Sequence, residues 1–292
     1  MKTTAPGRVL FFWDYDTQWG MDSYYGLRLS TTTPSSNLGH LEFACAERLL
    51  ELHGQYAIPA CFAVVGAAAL PGARPYHDPA QIRRIHAAGH EVASHSFRHD
   101  WLPALGRGAL IETLRRSKET LEDCIGAPVT SFVPPFNQPY DYPAGWSFSL
   151  SERRSVNGER TDLLRLCQAL HDTGYSFCRV SYRPLHLRLM ERVLRRPLHS
   201  PSHLESIAGV TCVRLNVSGF DEPALTMLNR CAASGGIAVV YAHPHSLDSG
   251  NAQNERWLRP FLERVCQLRH QGRIQTCLPR TLLREFATCV SL

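Results

Sequence analysis

The chain has 292 residues, 44% hydrophobic and 20% charged, with a formal net charge of +5; this is enough for one large domain or two small ones, and the mild charge does not by itself suggest a nucleic-acid partner. No stretch approaches 18 uninterrupted apolar residues, so a transmembrane segment is not expected; Met1-Lys2-Thr3-Thr4-Ala5-Pro6-Gly7 lacks the zones of a secretion signal, which points to a cytoplasmic location. Ten cysteines, no two closer than eleven residues, form no Cys-x-x-Cys pair and read as reduced core residues rather than a disulfide framework.

The apolar run Val9-Leu10-Phe11-Phe12-Trp13 makes residues 8–14 a buried strand. Residues 40–54 have the spacing of an amphipathic helix closed by Gly54, and a strand is expected at 60–65. A helix follows at 79–88, then a glycine stop at Gly89 and a strand at 91–94. A long helix over 108–125 ends at Gly126 with Pro128 just beyond, and 129–133 returns as a strand. Residues 139–160, rich in Tyr, Pro, Gly, Ser and Arg, are expected to form a long loop insertion around a site. A helix at 161–173 and a strand at 175–181 resume the pattern, and 183–209 is a candidate basic insertion. The remaining elements are a strand at 210–217, a helix at 222–234, a strand at 237–242, a helix at 253–271 and a short terminal element. This alternation predicts a single α/β domain over 1–292, with a mainly parallel sheet and right-handed crossovers.

Two polar clusters stand out against this frame, Asp14-Tyr15-Asp16 and His95-Ser96-Phe97-Arg98-His99. Either alone is weak, since Asp-x-Asp is common in loops and His-x-x-x-His is more often a surface or core pair. Both lie just past the C-terminal end of a strand, where α/β folds place their sites, and carboxylates ending a buried strand are costly unless something pairs with them. Two imidazoles and one carboxylate form a common ligand set for a catalytic divalent metal, which leaves the second carboxylate for proton transfer.

Five segments together resemble the polysaccharide deacetylases that share the NodB homology domain, a family similar to carbohydrate esterase family 4. Asp14-Tyr15-Asp16 resembles the first motif, and His95-Ser96-Phe97-Arg98-His99, with the preceding Gly89-His90-Glu91-Val92-Ala93-Ser94, resembles the second. Ser117-Lys118-Glu119-Thr120-Leu121-Glu122 and Gly126, leading to Phe132-Val133-Pro134-Pro135-Phe136, resemble the run into the third, and Val239-Val240-Tyr241-Ala242-His243 resembles the last. The likeness spans roughly residues 8–245.

The resemblance implies a single-domain distorted (β/α) barrel and one divalent transition metal, zinc by default, held by Asp16, His95 and His99. It implies Asp14 as general base and His243 as the acid, with His245 the other histidine to which that role could fall. Pro135, Phe136, Asn137, Trp19 and Arg98 are candidates for substrate contact, a backbone N–H near Pro135-Phe136-Asn137 is a candidate oxyanion donor, and Trp19 could equally be packing. Two departures follow: Val133 stands where the third motif usually carries an arginine that holds the base, with Asn137 or Arg98 as candidate replacements. The fourth motif, an aspartate with a nearby tryptophan that tunes the acid histidine, is not recognisable.

The expected reaction is removal of an acetyl or formyl group from an amino sugar, nucleotide-linked or lipid-linked, on the way to a bacterial surface glycan such as O-antigen. The alternatives are a C–N hydrolase of a small amide or ureide, and a carbohydrate-binding relative that has lost catalysis. Arg188, Arg192, Arg195 and Arg196 fall on one helical face, which could be solvated, or could meet the phosphates of a sugar carrier or an anionic membrane surface as a peripheral contact. No motif sets the oligomeric state.

Overall fold

The strand β1 (Gly7–Tyr15) is buried along almost its whole length, and its continuous apolar run reflects a position covered on both faces. In this computed structural model, which describes residues 5–26, 38–137, 162–181, 189–190, 193–194 and 200–290, β1 is an interior strand, third from one end of the sheet. It pairs in parallel with β9 (Ile237–Ala242) on one side; on the other it pairs first with β10 (Ile274–Thr276), over Gly7–Val9, and then with β2 (Cys61–Val64), over Phe12–Tyr15. Beyond β2 come β3 (Glu91–Ser94), β4 (Ser131–Phe132), β5 (Phe177–Val180), β7 (Val210–Arg214) and β6 (Leu204–Ile207); beyond β9 lies β8 (Val217–Ser218). Among the described strands every pairing is parallel except β6 with β7, a hairpin closed by Ala208 and Gly209 with φ of 49° and 82°; a single antiparallel bridge also joins Ser202 to Ile237.

The helices are α1 (Thr17–Gly26), α2 (Leu38–Tyr56), α3 (Pro79–Ala87), α4 (Arg107–Ile125), α5 (Leu163–Asp172), α6 (Glu222–Ser234), α7 (Glu255–His270) and α8 (Pro279–Val290). Local chemistry sets their ends. Asp78 caps α3 by accepting from the Gln81 N–H at 2.9 Å, with Pro79 at the first helical position. Gly126 closes α4 in the left-handed conformation at φ 67°, which a side chain rarely adopts.

Successive strand residues face opposite sides, so the sheet carries two apolar clusters. The larger one, with Phe11, Trp13, Phe132, Cys178 and Phe261, packs the sheet against helices. The smaller one, with Leu10, Phe12, Ala93, Val133, Phe177, Val213 and Tyr241, fills the inside of the curled sheet. This is the expected distorted barrel.

Most predicted elements appear within a few residues of their expected bounds. The strand expected at 210–217 is instead two, β7 and β8, which lie toward opposite ends of the sheet, and the single short terminal element expected is β10 followed by α8. Also not anticipated were α1, whose sequence TQWGMDSYYG has no clear apolar periodicity, and β6, inside the tract read as an insertion. The described cysteines are all free. No described helix is long and apolar enough to cross a membrane. The expected loop at 139–160 and the basic face of Arg188, Arg192, Arg195 and Arg196 lie outside the described residues.

Candidate active site

Alternation along the end of β1 sends Asp14 to the inside of the sheet, while Tyr15 packs edge-on to Phe43 at 5.8 Å and bonds its hydroxyl to Gln81. Asp16 follows the strand, and Thr17, at φ 55°, turns the chain directly into α1. Gly20 of that helix lies against the carboxylate: a Cβ there would stand 2.4 Å from the Asp16 Cβ and 3.0 Å from Oδ2. No side chain fits in that space.

The histidine segment leaves β3 and is tied down by its own polar residues. The Ser96 carbonyl accepts from the Gly66 N–H at 2.9 Å and from the Ser117 hydroxyl at 2.9 Å, while the Phe97 carbonyl accepts from the Ala67 N–H at 2.8 Å. Asp100 receives the Thr113 hydroxyl at 2.6 Å, and its N–H donates to Ser96 Oγ at 2.8 Å. Ser96 and His99 both have positive φ, 62° and 57°, which folds the loop tightly enough to bring His95 and His99 to one place, their ring centroids 5.1 Å apart. Five of the seven non-glycine residues with positive φ among the described residues are Thr17, Ser96, His99, Phe136 and Asn137. Backbone strain is thus concentrated at this site.

Asp16, His95 and His99 are all buried, and each offers a ligand atom within 4.8 Å of the others. Asp16 Oδ1 lies 3.3 Å from His95 Nε2 and 3.7 Å from His99 Nε2. Donors held about 2.1 Å from a tetrahedral zinc ion lie roughly 3.4 Å from one another, so the spacing suits a cation. Asp16 Oδ1 is buried with no hydrogen-bond partner, a costly arrangement unless a ligand compensates it. The Val133 carbonyl takes the Nδ1 proton of His95 at 2.8 Å, turning the Nε2 lone pair toward Asp16. Burial pushes the His99 imidazole down to about 4, so it is neutral, as a metal ligand must be. Burial alone would raise Asp16, but the surrounding imidazoles of His99, His95 and His243 hold its carboxyl far below the usual range. The residues present fit a divalent transition metal.

Asp14 is 2% exposed and is held by Arg179, a residue of β5. The guanidinium donates from Nη1 to Oδ1 at 2.8 Å and from Nη2 to Oδ2 at 2.7 Å, and Nη2 also donates to Asn137 Oδ1 at 2.8 Å. It lies over the rings of Tyr241 at 4.8 Å and Phe12 at 5.2 Å. Arg179 occupies the place the sequence left open at Val133; of the two candidates for it, Asn137 is an additional partner of Arg179, and Arg98 lies elsewhere.

On the opposite wall, the end of β9 supplies two histidines. His243 Nε2 lies 3.7 Å from Asp16 Oδ2, and its Nδ1 lies 3.2 Å from Gln253 Oε1. His245 Nδ1 donates to Glu42 Oε2 at 3.0 Å, and Glu42 Oε1 accepts the Asp16 N–H at 3.3 Å. Burial would lower the His245 imidazole, but the Glu42 carboxylate outweighs it and the group titrates above its ordinary value. Glu42 itself is fully buried on α2.

These groups line one cleft of about 270 Å³, walled by Gly20, Met21, Leu38, Phe136, Asn137 and Tyr241, with Asp14, Asp16, His95, His99, His243 and His245 also exposed to it. The structure therefore gathers seven of the ten predicted site residues. Pro135 starts the turn that presents Phe136 and Asn137 but is outside the lining, as are Trp19 and Arg98. Trp19 packs edge-on to Tyr76 at 5.2 Å, with the Arg98 guanidinium 5.3 Å from its ring centre. Arg179, Glu42 and Gln253 were not anticipated. An arginine inside the apolar strand Phe177-Cys178-Arg179-Val180 was the one available signal, because a buried charge needs a partner.

Residues 43–144 match the polysaccharide deacetylase family model, which bears out over that stretch the family that the motifs resemble. No curated protein matches the chain. Among solved structures, a Mycobacterium smegmatis protein described as a polysaccharide deacetylase aligns over 100% of this chain and 93% of its own at 17% identity, with a TM-score of 0.66. The Puue allantoinase aligns over 99% of this chain and 92% of its own at 13% identity, with a TM-score of 0.64. At these identities the two structures share the fold with this protein.

Proposed function

We propose that the protein is a metal-dependent amide hydrolase that removes a small N-acyl group, acetyl or formyl, from an amino sugar. The observation that carries this reading is the convergence of Asp16, His95 and His99 in a buried cluster with the braced carboxylate of Asp14 beside it. Asp16 Oδ1, His95 Nε2 and His99 Nε2 would hold the metal, and zinc suits this donor set. A divalent metal bound there would supply Lewis-acid polarisation of a carbonyl and a water of lowered pKa.

The chain's own groups account for the proton transfers. A carboxylate has about four acceptor positions, and Arg179 takes one on each oxygen of Asp14, so the remaining lone pairs can accept the proton of an attacking water. The guanidinium fixes the direction from which the water is met. As the water oxygen bonds to the acyl carbon, the C–N bond breaks, and one of the two imidazoles after β9 gives a proton to the departing amine. The products are a free amine and acetate or formate. Met21, Leu38, Phe136 and Tyr241 supply an apolar wall to the cleft, which limits access of bulk water.

A cleft of about 270 Å³ has room for one sugar unit with its acyl group. We take the natural substrate to be such a unit, linked to a nucleotide or lipid carrier in the cytoplasm during assembly of a surface glycan. The small volume also supports a second reading, hydrolysis of a small non-sugar amide, for which the allantoinase fold likeness is a precedent of architecture.

Elemental mass spectrometry of the purified protein beside His99→Ala tests the metal, and acetate and formate release from N-acyl hexosamines and their nucleotide-linked forms tests the substrate. About one equivalent of a transition metal, lost in the variant, with acid released from an amino sugar, is the expected result. A wild type that stays metal-free after zinc is supplied would falsify the hydrolase reading. Turnover of a ureide but of no N-acyl sugar would select the second reading.

A further inference from the structure

The two imidazoles after β9 have different partners, and the difference assigns the last proton transfer within the deacylase reading, on which this inference rests. His243 is backed by a neutral amide: Gln253 Oε1 lies 3.2 Å from its Nδ1 and also accepts its backbone N–H at 2.8 Å. Its other nitrogen faces Asp16 Oδ2 at 3.7 Å, so Nε2 points at the ligand cluster.

His245 is backed by a carboxylate. Glu42 has no exposed surface, and its oxygens receive His245 Nδ1 at 3.0 Å and the Asp16 N–H at 3.3 Å. A buried carboxylate needs a positive partner, and an imidazole with a carboxylate on Nδ1 is held in one orientation while its charged form is stabilised. His245 lines the cleft, and with Nδ1 engaged its Nε2 is the nitrogen left for a substrate. Glu42 comes from α2 and His245 from the turn after β9, so two packed elements fix the pair.

We propose that His245, oriented by Glu42, protonates the departing amine, and that His243, which faces Asp16, does not. As the C–N bond breaks, its electron pair remains on nitrogen, the proton passes from His245 Nε2 to that nitrogen, and the neutral imidazole is reprotonated from solvent. Glu42 is a positioning residue in this scheme. It does from α2 what the unrecognised fourth motif would do for an acid histidine.

The experiment compares an N-acetyl hexosamine, whose amine must be protonated to leave, with 4-nitrophenyl acetate, whose phenolate leaves unprotonated. The metal-loaded wild type, His245→Asn, Glu42→Gln and His243→Asn are assayed on both, with metal content and melting midpoint recorded for each. His245→Asn is expected to lose about 10²–10⁴-fold in kcat on the amide, with the ester-to-amide activity ratio rising at least about tenfold. Glu42→Gln should move that ratio the same way by less, and serves as the test if His245→Asn does not fold. A histidine that only packs the cleft would lower both activities in proportion. An unchanged ratio in both His245→Asn and Glu42→Gln, or a ratio shift confined to His243→Asn, overturns the assignment. A metal-loaded wild type inert on both substrates overturns the deacylase reading and this assignment with it.

Discussion

Arg179 of β5 and Asp14 of β1 form a two-pronged buried ion pair, each side chain 2% exposed. The sheet explains how an arginine on β5 reaches the end of β1. Phe132 of β4 pairs with Cys178, so Val133 and Arg179 follow side by side and, by alternation, share the inner face. The small Val133 leaves space over Phe12 and Tyr241 that the guanidinium fills.

Replacing Arg179 with Met leaves Asp14 buried without its partner, which typically costs about 3–5 kcal/mol. We expect a correspondingly lower urea midpoint and a fall of at least about 10²-fold in kcat/KM, since the base is no longer aimed. Arg179→Lys restores the charge but not the paired geometry and should recover only part of the loss. Urea titration and steady-state kinetics on both variants check this; wild-type kinetics in Arg179→Met would remove Asp14's brace from the mechanism.

Because positions 133 and 179 are neighbours on one face, the double exchange Val133→Arg with Arg179→Val should regain at least about tenfold in kcat/KM over Arg179→Val alone. Double-mutant kinetics decide it. No regain means the guanidinium must enter from β5.

Gly20→Ala forces a Cβ to within 2.4 Å of the Asp16 side chain. The predicted result is weaker metal retention, at least about tenfold in Kd, because one ligand of three is displaced; competition with a chromogenic chelator measures it. Retained affinity would show that α1 can move away without cost.

Ion binding to the folded protein alone should raise its melting midpoint. At a hundred times Kd the gain is about 2.7 kcal/mol, or roughly 4–5 °C for a chain of this size. Asp16→Asn should abolish the shift, and differential scanning fluorimetry with and without zinc reads it directly.

His53 lies away from the cleft and predicts a pH response. Its Nε2 accepts the Trp13 indole N–H at 2.9 Å and its Nδ1 meets the Ile58 carbonyl at 2.8 Å, so the neutral ring is fully bonded. Burial, with His90 adding to it, holds the group down to about 3. An unfolded His titrates near 6.5, so from about pH 6.5 down to about pH 3 the unfolded chain binds a proton that the folded one refuses. This stabilisation is complete above pH 6.5 and is lost as pH falls, by up to about 1.4 kcal/mol per pH unit. Unfolding free energies from urea titration at pH 7 and pH 5 should lie closer together in His53→Gln, by about 2 kcal/mol; equal gaps would mean that His53 is protonated in the fold.

The sequence by itself determined β3, α6 and β9 to the residue, and brought Asp14, Asp16, His95, His99 and His243 forward as a set. Apolar periodicity and strand-end carboxylates are local signals that survive without a fold. α1, β6 and the break between β7 and β8 were not legible, because the first lacks periodicity, the second exists only by pairing with β7, and the third depends on which neighbours each strand finds, β5 for one and β9 for the other. Only the tertiary structure decided which residues support the chemistry. Arg179 meets Asp14 across 165 positions, and Glu42 meets His245 across 203. A charge in a buried strand or on a helix shows that a partner is needed, but which partner it finds depends on strand order and crossover packing, through contacts between residues distant in the chain.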